Sequence, residues 1–357
     1  MSNLSEKREA LILAIIGGAL GEVEALLAQD PAAALDSGWE ESPLVAAVRA
    51  GSTGAVKALL PYLFGANKDK ERALVLAAEL GRTGCAELLI PATRPDEHAG
   101  EMRQIELAFD NWVDPRPPVE NGLTPLCVAA GFGSLDCLRL LLAASTPTLE
   151  HASHALGWAA QGGKVDCARA LIPFSDPKLW DSGALQRAAA AGSHECVELL
   201  IPLSCPEDGE ARALCLAADN GHPDCVRLLL PTSGSGDGVG KALIFAARME
   251  CEESLRLILA AHPETANFVG WGGFTALMRA VMIGSEACAR ILAPLSDLEM
   301  RSSGGERALD IADSNHREER HPEIAAYLKE LSLSREEARI LGVASGQGGG
   351  KLVGRRL

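Results

Sequence analysis

The sequence has few aromatic residues and no long apolar run. Phe, Trp and Tyr make up 4% of its 357 residues, and alternating runs of β-branched or aromatic residues, which indicate strands, are scarce. No run of about 18 apolar residues is present, so no membrane-spanning helix is predicted. The stretch ALILAIIGGAL at 10–20 resembles part of a secretory signal, but Glu6 and Glu9 dilute its positive flank. We interpret it as part of an amphipathic helix.

Complete catalytic and metal-binding motifs are also missing. The ten cysteines include no C-x-x-C pair, the close spacing that zinc sites use. The stretch GSGDGVGKA at 234–242 imitates a phosphate-binding loop, but Ser235 replaces its first glycine and Ala242 its hydroxyl residue. No G-x-S-x-G motif is found. We therefore predict no catalytic residue, no cofactor and no metal site, and a protein that is not an enzyme.

The charge is of one predominant sign. Asp and Glu number 48 against 33 Lys and Arg, which gives a net charge of −15. A phosphate backbone or an anionic membrane surface would be repelled, so neither is predicted as a partner. A basic protein partner is compatible with this charge but is not required by it. Many unpaired thiols indicate a reducing compartment. We predict a cytoplasmic protein and leave delivery into a host cell open.

What the sequence does contain is an internal repeat. A glycine, replaced once by Glu250, recurs between two apolar segments with spacings of 30, 52, 30, 29, 29, 29 and 34 residues. The copies stand at Gly51, Gly81, Gly133, Gly163, Gly192, Gly221, Glu250 and Gly284. Around each lies the pattern [ST]-x-L-x-x-A-A-x-x-G-x-x-x-C-x-x-L-L, which predicts two short helices joined by a glycine turn. One such unit cannot bury its own apolar faces and must stack on its copies.

This pattern resembles the ankyrin repeat. The copy TPLCVAAGFGSLDCLRLLL at 124–142 matches the family's T-P-L-H-x-A-A-x-x-G signature apart from Cys127, which takes the histidine place. The resemblance covers about residues 10–330 and implies an all-α repeat fold, an ankyrin-type solenoid of stacked helix-turn-helix units. Repeats of 29 or 30 residues imply shortened fingers. Other residues replace the first threonine in several copies, where we expect looser turns: Arg72, His154, Gly183, Arg212 and Lys241.

Six of the ten cysteines recur four residues after the turn glycine. They are Cys85, Cys137, Cys167, Cys196, Cys225 and Cys288. Equivalent positions in stacked helices lie about 10 Å apart, whereas a disulfide needs Cα atoms within about 7 Å. A disulfide ladder is thus excluded, and we predict that these thiols are small buried groups of the second helix.

Two segments depart from the repeat. We predict one solenoid domain of about ten units over 1–330, with an irregular insertion at 92–120 that is either a decayed repeat or a helix inserted into a finger. Residues 331–357 are predicted to form a short helix, begun by Ser334, and a flexible Gly-rich tail. The predicted function is a monomeric, non-catalytic scaffold for a protein partner. The alternative is an effector or toxin-like protein with its activity in 92–120 or 331–357.

The resemblance also implies where a partner binds. Ankyrin proteins mostly use the finger tips and the exposed ends of the first helices, which together form a concave face. Exposed Trp, Phe and Met are frequent interface anchors. Transferring those places by register gives the candidate partner-binding residues Trp39, Phe132, Trp180, Met249, Trp271, Phe274 and Met282. We interpret Trp158 as a core residue.

Overall fold

The computed structural model describes residues 2–35, 42–63, 67–93, 124–205, 208–234, 236–313 and 321–340. Within these ranges all regular structure is helical, as predicted. The chain divides into two compact units, Met1–Gly209 and Glu210–Leu357. None of the described helices combines the length and the apolar character that crossing a bilayer requires.

The first unit consists of paired helices. The pairs are α1 Ser2–Ile16 and α2 Leu20–Gln29, α3 Pro43–Ala50 and α4 Thr53–Leu59, α5 Asn67–Glu79 and α6 Thr83–Leu89, α7 Pro125–Phe132 and α8 Leu135–Ala144, α9 Leu149–Gln161 and α10 Val165–Leu171, and α11 Leu179–Ala190 and α12 His194–Leu200. In this unit each first helix packs beside the first helices of its neighbours, α7 and α11 both lying against α9.

The second unit continues the same pairing. Its helices are α13 Asp208–Asp219 and α14 Pro223–Leu229, α15 Asp237–Arg248 and α16 Glu252–Ala261, α17 Ala276–Ile283 and α18 Glu286–Leu292, and α19 Ala308–Asp313 and α20 Pro322–Ile340. Helix α15 packs on α17, and α16 lies between α14 and α18.

The predicted turn residues all take the left-handed conformation. Gly133 has a φ of 84° and Glu250 a φ of 54°. In both turns the amide of the following residue donates to the first alanine of the preceding pair, from Ser134 N to Ala129 O over 2.9 Å and from Cys251 N to Ala246 O over 3.0 Å. This is the 6→1 bond of a Schellman motif, which satisfies a carbonyl at the helix end and reverses the chain.

The first helices differ in length, and this corrects one expectation. Three of them span 8 residues and begin after Ser42, Thr124 or Thr275, whose hydroxyl accepts from an amide of the first turn. Where another residue takes that place the turn is not looser. Arg212 and Lys241 instead lie inside helices of 12 residues, because no capping hydroxyl stops the helix there and it starts further upstream.

The longer helices leave little chain for a finger. Four residues separate Phe174, the end of a 3₁₀ turn, from the start of α11 at Leu179. The predicted shortening of the fingers is therefore confirmed at this repeat. The start of α11 is irregular, since Trp180 and Ser182 take positive φ angles.

The cysteine prediction is confirmed. All six repeated thiols are buried and unpaired. Cys137 shows the arrangement: its Sγ lies 3.7 Å from the carbonyl oxygen of Ala77 in the preceding first helix. The thiol thus fills the space between two stacked units, as a small apolar side chain would.

The chain's irregular segments are only partly described. Most of the 92–120 insertion and all residues after Ile340 lie outside the described ranges. One helix runs from Pro322 to Ile340, so Ser334 lies inside a helix and does not begin one. The division into 1–330 and 331–357 stays a prediction, and its boundary falls within this helix.

Candidate functional site

Each first helix presents one face away from the buried core. In α15, Ala242, Leu243, Ala246 and Ala247 are fully buried. Lys241, Phe245 and Arg248 are half-buried or exposed, and they stand at i, i+4 and i+7 on one side of the helix. Counted back from the turn residue, these are positions nine, five and two. We call these positions, together with the residue just before the turn, the first-helix face.

The same face of other first helices carries several predicted site residues. Phe132 of α7 is 38% exposed and Met249, at the end of α15, is 45% exposed. Met282 of α17 is half-buried. The structure therefore places these three at the surface, at the register that the sequence predicted. Their part in binding stays a prediction.

The finger before α17 holds the most exposed of the predicted residues that the structure describes. Trp271 is 91% exposed. The finger is closed by the bond from Gly270 N to Phe274 O over 2.9 Å, and Ser303 N of the next finger donates to Gly272 O over 3.0 Å. A Cβ at Gly273 would lie 2.4 Å from Ser303 N, so this close contact requires glycine. Trp271 is thus presented on a turn that two hydrogen bonds hold.

Phe274 connects this finger to the first-helix face. Its ring is half-buried and lies under the guanidinium of Arg279, whose Cζ is 4.6 Å from the ring centroid. Arg248 lies over Phe245 in a similar way, at 5.3 Å, and forms an ion pair with Asp219 of α13. Such cation–π contacts orient the arginine side chains on the face.

In the first unit the aromatic residues form a cluster that sequence reasoning only partly found. Trp180 is 37% exposed and its ring meets that of His154 edge-on at 6.1 Å, while His154 meets Trp158 at 6.3 Å. Trp180 was expected in a finger, but it is the second residue of α11, because that helix starts early.

Trp158 was interpreted as core, and that interpretation is wrong. It is half-buried on the first-helix face, beneath Arg187 at 5.8 Å. Gly131 of the neighbouring helix α7 lies beside it, and a Cβ there would be at an ordinary contact distance of 3.7 Å from Trp158. The sequence did indicate that Trp158 lies on the first-helix face. Trp158, Arg187 and Arg279 all stand five residues before a turn glycine. Trp39 lies outside the described residues.

One contact in this cluster has the composition of a catalytic pair. Cys127 Sγ lies 3.5 Å from His154 Nδ1 and accepts the Thr124 hydroxyl at 3.3 Å. Burial raises the pKa of the Cys127 thiol above its ordinary value, and the Thr124 hydrogen bonds and the charge of Arg187 oppose the rise only in part. A thiol with a raised pKa remains protonated at neutral pH and is a poor nucleophile. The raised pKa of this thiol therefore does not favour nucleophilic catalysis at this pair.

The described residues offer little that would hold a metal ion or a small molecule. Among the described residues, no group of three or more His, Cys, Asp or Glu is placed to hold a metal ion. A cavity of about 580 Å³ lies between α14 and α16, lined mostly by apolar residues such as Leu230, Pro231 and Leu257. It is on the second helices and includes no residue of the first-helix face. It lacks the several convergent polar groups of a small-molecule site.

Comparison with known proteins identifies a family. The model described as "Ankyrin repeats (3 copies)" matches residues 11–99, 98–181, 156–240 and 185–268. A search of the curated proteins gave no match. Among solved structures, the crystal structure of the human ASB11 ankyrin repeat domain is similar, with 20% sequence identity and a TM-score of 0.43, over 71% of this chain and 96% of that one.

Proposed function

The chain belongs to the ankyrin repeat family, and from that premise we propose that it is a non-catalytic scaffold. It binds a protein partner through its first-helix face and fingers, which form the concave side of ankyrin stacks. Ankyrin repeats are generally protein–protein interaction modules.

The observation that carries the proposal is the exposure of Trp271. An indole that is 91% exposed leaves a large apolar area in water, which is unfavourable by about 25 cal/mol for each Å². Residues of this type, when covered by a partner, contribute strongly to binding energy. Met249, at 45% exposure, offers a second apolar contact that can adapt its shape.

The chemistry of the thiols supports the remaining parts of the proposal. All ten cysteines are unpaired, which fits a protein that resides in a reducing compartment such as the cytoplasm. Burial raises the pKa of the Cys127 thiol beside His154, which disfavours the nucleophilic thiolate. We also propose that the protein acts as a monomer, with the first-helix face open to its partner.

The test is affinity capture from a lysate of the cell that makes the protein. Wild type is compared with the triple variant Trp39→Ala, Trp180→Ala and Trp271→Ala. We expect a protein captured by wild type to be lost or strongly reduced with the variant, while the helical circular dichroism signal is unchanged.

A second triple variant is the matched control. Tyr62→Ala, Phe174→Ala and Leu333→Ala remove three exposed apolar side chains that lie at the ends of second helices or on α20. Capture should survive these changes. Equal capture by wild type and by the tryptophan variant would contradict the proposed surface, and loss only with the control variant would move the site to the second helices.

A further inference from the structure

The cavity between α14 and α16 is an open groove with apolar walls. It has a volume of about 580 Å³ and is lined by Arg227, Leu230, Pro231, Gly234, Leu257, Ala260, Ala261 and His262. Six of these eight residues are apolar or glycine, so the groove offers few hydrogen bonds. Apolar surface of this kind is stabilised when other apolar side chains cover it.

The groove follows from a difference between the ends of these two helices. Helix α14 is followed by a 3₁₀ turn that contains Pro231. In α16 the same register holds Ala260, and the α-helix continues to Ala261 because no proline interrupts its hydrogen bonds. Both alanines are exposed and present only methyl groups. A depression therefore remains beside the ridge that Leu230 and Pro231 form.

The charged side chains that border the groove are mostly acidic. The two helices and the turn after α16 carry Asp224, Arg227, Glu252, Glu253, Arg256 and Glu264. Four carboxylates and two arginines give a net charge of −2. Asp237 and Glu250, the next charged residues along the chain, add carboxylates and no cation. Lys241 and Arg248 belong to the first-helix face and not to this surface.

The arginines at the groove are outnumbered by their carboxylate partners. Arg227 is shared between Asp224 at 3.8 Å and Glu253 at 2.5 Å. Glu264, whose side chain is 63% exposed, lies 3.1 Å from His262. On the adjacent helix α18 the one carboxylate, Glu286, is matched by Arg290 at 2.6 Å. An occupant with cations beside its apolar side chains therefore complements this surface.

The chain itself contains a segment of that composition. Residues 351–357 read KLVGRRL and lie outside the described residues. Leu352 and Val353 are apolar, Lys351 and the two arginines give a charge of +3, and no carboxylate is present. In a chain with a net charge of −15, this segment has the charge that the groove lacks.

The segment also begins close enough to reach the groove. Arg335 of α20 donates to the carbonyl oxygens of Ala293 and Ser296, just after the end of α18, over 2.8 Å each. Helix α18 packs on α16, and packed helices lie about 10 Å apart. From Arg335 to the end of α20 at Ile340 the helix rises by about 8 Å. Residues 341–350 span up to about 35 Å when extended, so the distance can be covered.

We propose that residues 351–357 bind in the groove between α14 and α16 of the same chain. Leu352 and Val353 contact the apolar lining, and the basic side chains pair with the carboxylates around it. A segment tethered by ten residues has an effective concentration of about a millimolar, which favours it over a free protein. The groove is separate from the first-helix face, so this binding is independent of the proposed function.

The experiment measures how fast trypsin cleaves the full chain after Lys351, by mass spectrometry over time. The reference is a synthetic peptide of residues 341–357, which has the same cleavage site and no groove. Bound segments are poor protease substrates, because a protease must enclose an extended chain. We expect cleavage after Lys351 to be about tenfold slower in the full chain than in the peptide, given the tethered concentration.

Two matched variants locate the binding site. Ala261→Phe fills the groove, and Phe174 stands at the same register in another repeat, so the repeat accepts this residue. Ala144→Phe makes the same change at the same register in α8, which also ends in two exposed alanines. Ala261→Phe should raise the cleavage rate to that of the peptide, and Ala144→Phe should leave it at the wild-type value.

A variant of the segment gives a second test that leaves every described residue unchanged. Leu352→Ser with Val353→Ser removes the apolar side chains, and its cleavage rate is compared with a peptide that carries the same two changes. The protection should be lost. Circular dichroism verifies that all variants fold, and this variant decides the question if Ala261→Phe does not.

Three results would overturn the proposal. Cleavage of wild type at the rate of the peptide would mean that the groove has a different occupant. Protection that survives Ala261→Phe, or that is lost equally with Ala144→Phe, would place the segment elsewhere. Protection that increases with protein concentration, together with a larger sedimentation coefficient, would show that the segment binds a second copy and not its own chain.

Discussion

At the scale of single residues, Glu250 occupies a position that favours glycine. Its φ of 54° is in the left-handed region, which costs a residue with a side chain about 1–2 kcal/mol. Glycine loses about 0.5–1 kcal/mol of this advantage through its greater freedom in the unfolded chain. Glu250→Gly should therefore raise the free energy of unfolding by about 0.5–1 kcal/mol, measured by urea denaturation.

The matched control is the preceding turn. Gly221 has a φ of 71°, and a Cβ there would have no heavy atom within 4 Å. Gly221→Ala thus adds backbone strain without a clash and should lower the free energy of unfolding by about 1 kcal/mol. A loss of stability in Glu250→Gly would show that the glutamate side chain itself stabilises the turn.

The buried thiols make a second prediction at this scale. Burial, and secondarily the neighbouring Asp166, Glu195 or Asp224, raises the pKa of Cys167, Cys196 and Cys225 to about 11. Eight cysteines are buried and two, Cys205 and Cys251, are half-buried. At pH 8 iodoacetamide should modify these two in the native protein and all ten after denaturation, counted by mass spectrometry.

The pH dependence of stability follows from the same shifts. These thiols have a folded pKa above the unfolded value, so they favour the folded state fully below the unfolded pKa of about 8.5. This contribution should be lost as the pH rises towards 11.

The control for the labelling experiment is the double variant Cys205→Ser and Cys251→Ser, which should show no native labelling. Rapid native labelling of any of the six repeated cysteines would contradict their burial.

At the scale of helices, the 8-residue first helices begin directly after a serine or threonine whose hydroxyl accepts from an amide of the first turn. Pro125 follows Thr124 at the first position of α7, where its missing amide hydrogen is of no consequence. Ala242 stands at the same register in α15 but is an interior residue of Asp237–Arg248. Ala242→Pro should lower the free energy of unfolding by about 3 kcal/mol or more, through the lost bond to Gly238 O and the ring clash.

The reverse change provides the comparison. Pro125→Ala removes a proline from a position that accepts it and should cost about 1 kcal/mol or less. Both free energies are measured by denaturant titration. An equal cost for the two substitutions would mean that α15 does not continue upstream of its repeat threonine position.

These helices show which structural features could be predicted from the sequence and which could not. The glycine period and the cysteine register predicted the turns and the buried thiols, because each depends on local backbone geometry or on a single helix face. The absence of a Thr-Pro start at Arg212 was treated as a weak turn, although it indicates that nothing stops the helix. Trp158 was assigned to the buried side of its helix, although Arg187 and Arg279 hold the same register position in other repeats and are only half-buried there.

At the scale of the whole molecule, we predict that the protein binds no metal ion. Six of the ten thiols are spread along the chain at the repeat period, and the described residues bring no three metal-binding side chains together. The dialysed protein should contain zinc far below one equivalent by mass spectrometry of the metal, and EDTA should not change its Tm. Stoichiometric zinc would favour a site completed by the segments 92–120 or 331–357.

The central claim is that a partner covers the first-helix face and the fingers. The most direct measurement is hydroxyl-radical footprinting of the captured complex against the free protein, with oxidation quantified at each aromatic residue and methionine. We predict that Trp271, Met249 and Trp180 are oxidised less in the complex than in the free protein. Tyr62 and Phe174 should be oxidised equally in both samples. Protection of Tyr62 and Phe174, with Trp271 and Met249 unchanged, would contradict it.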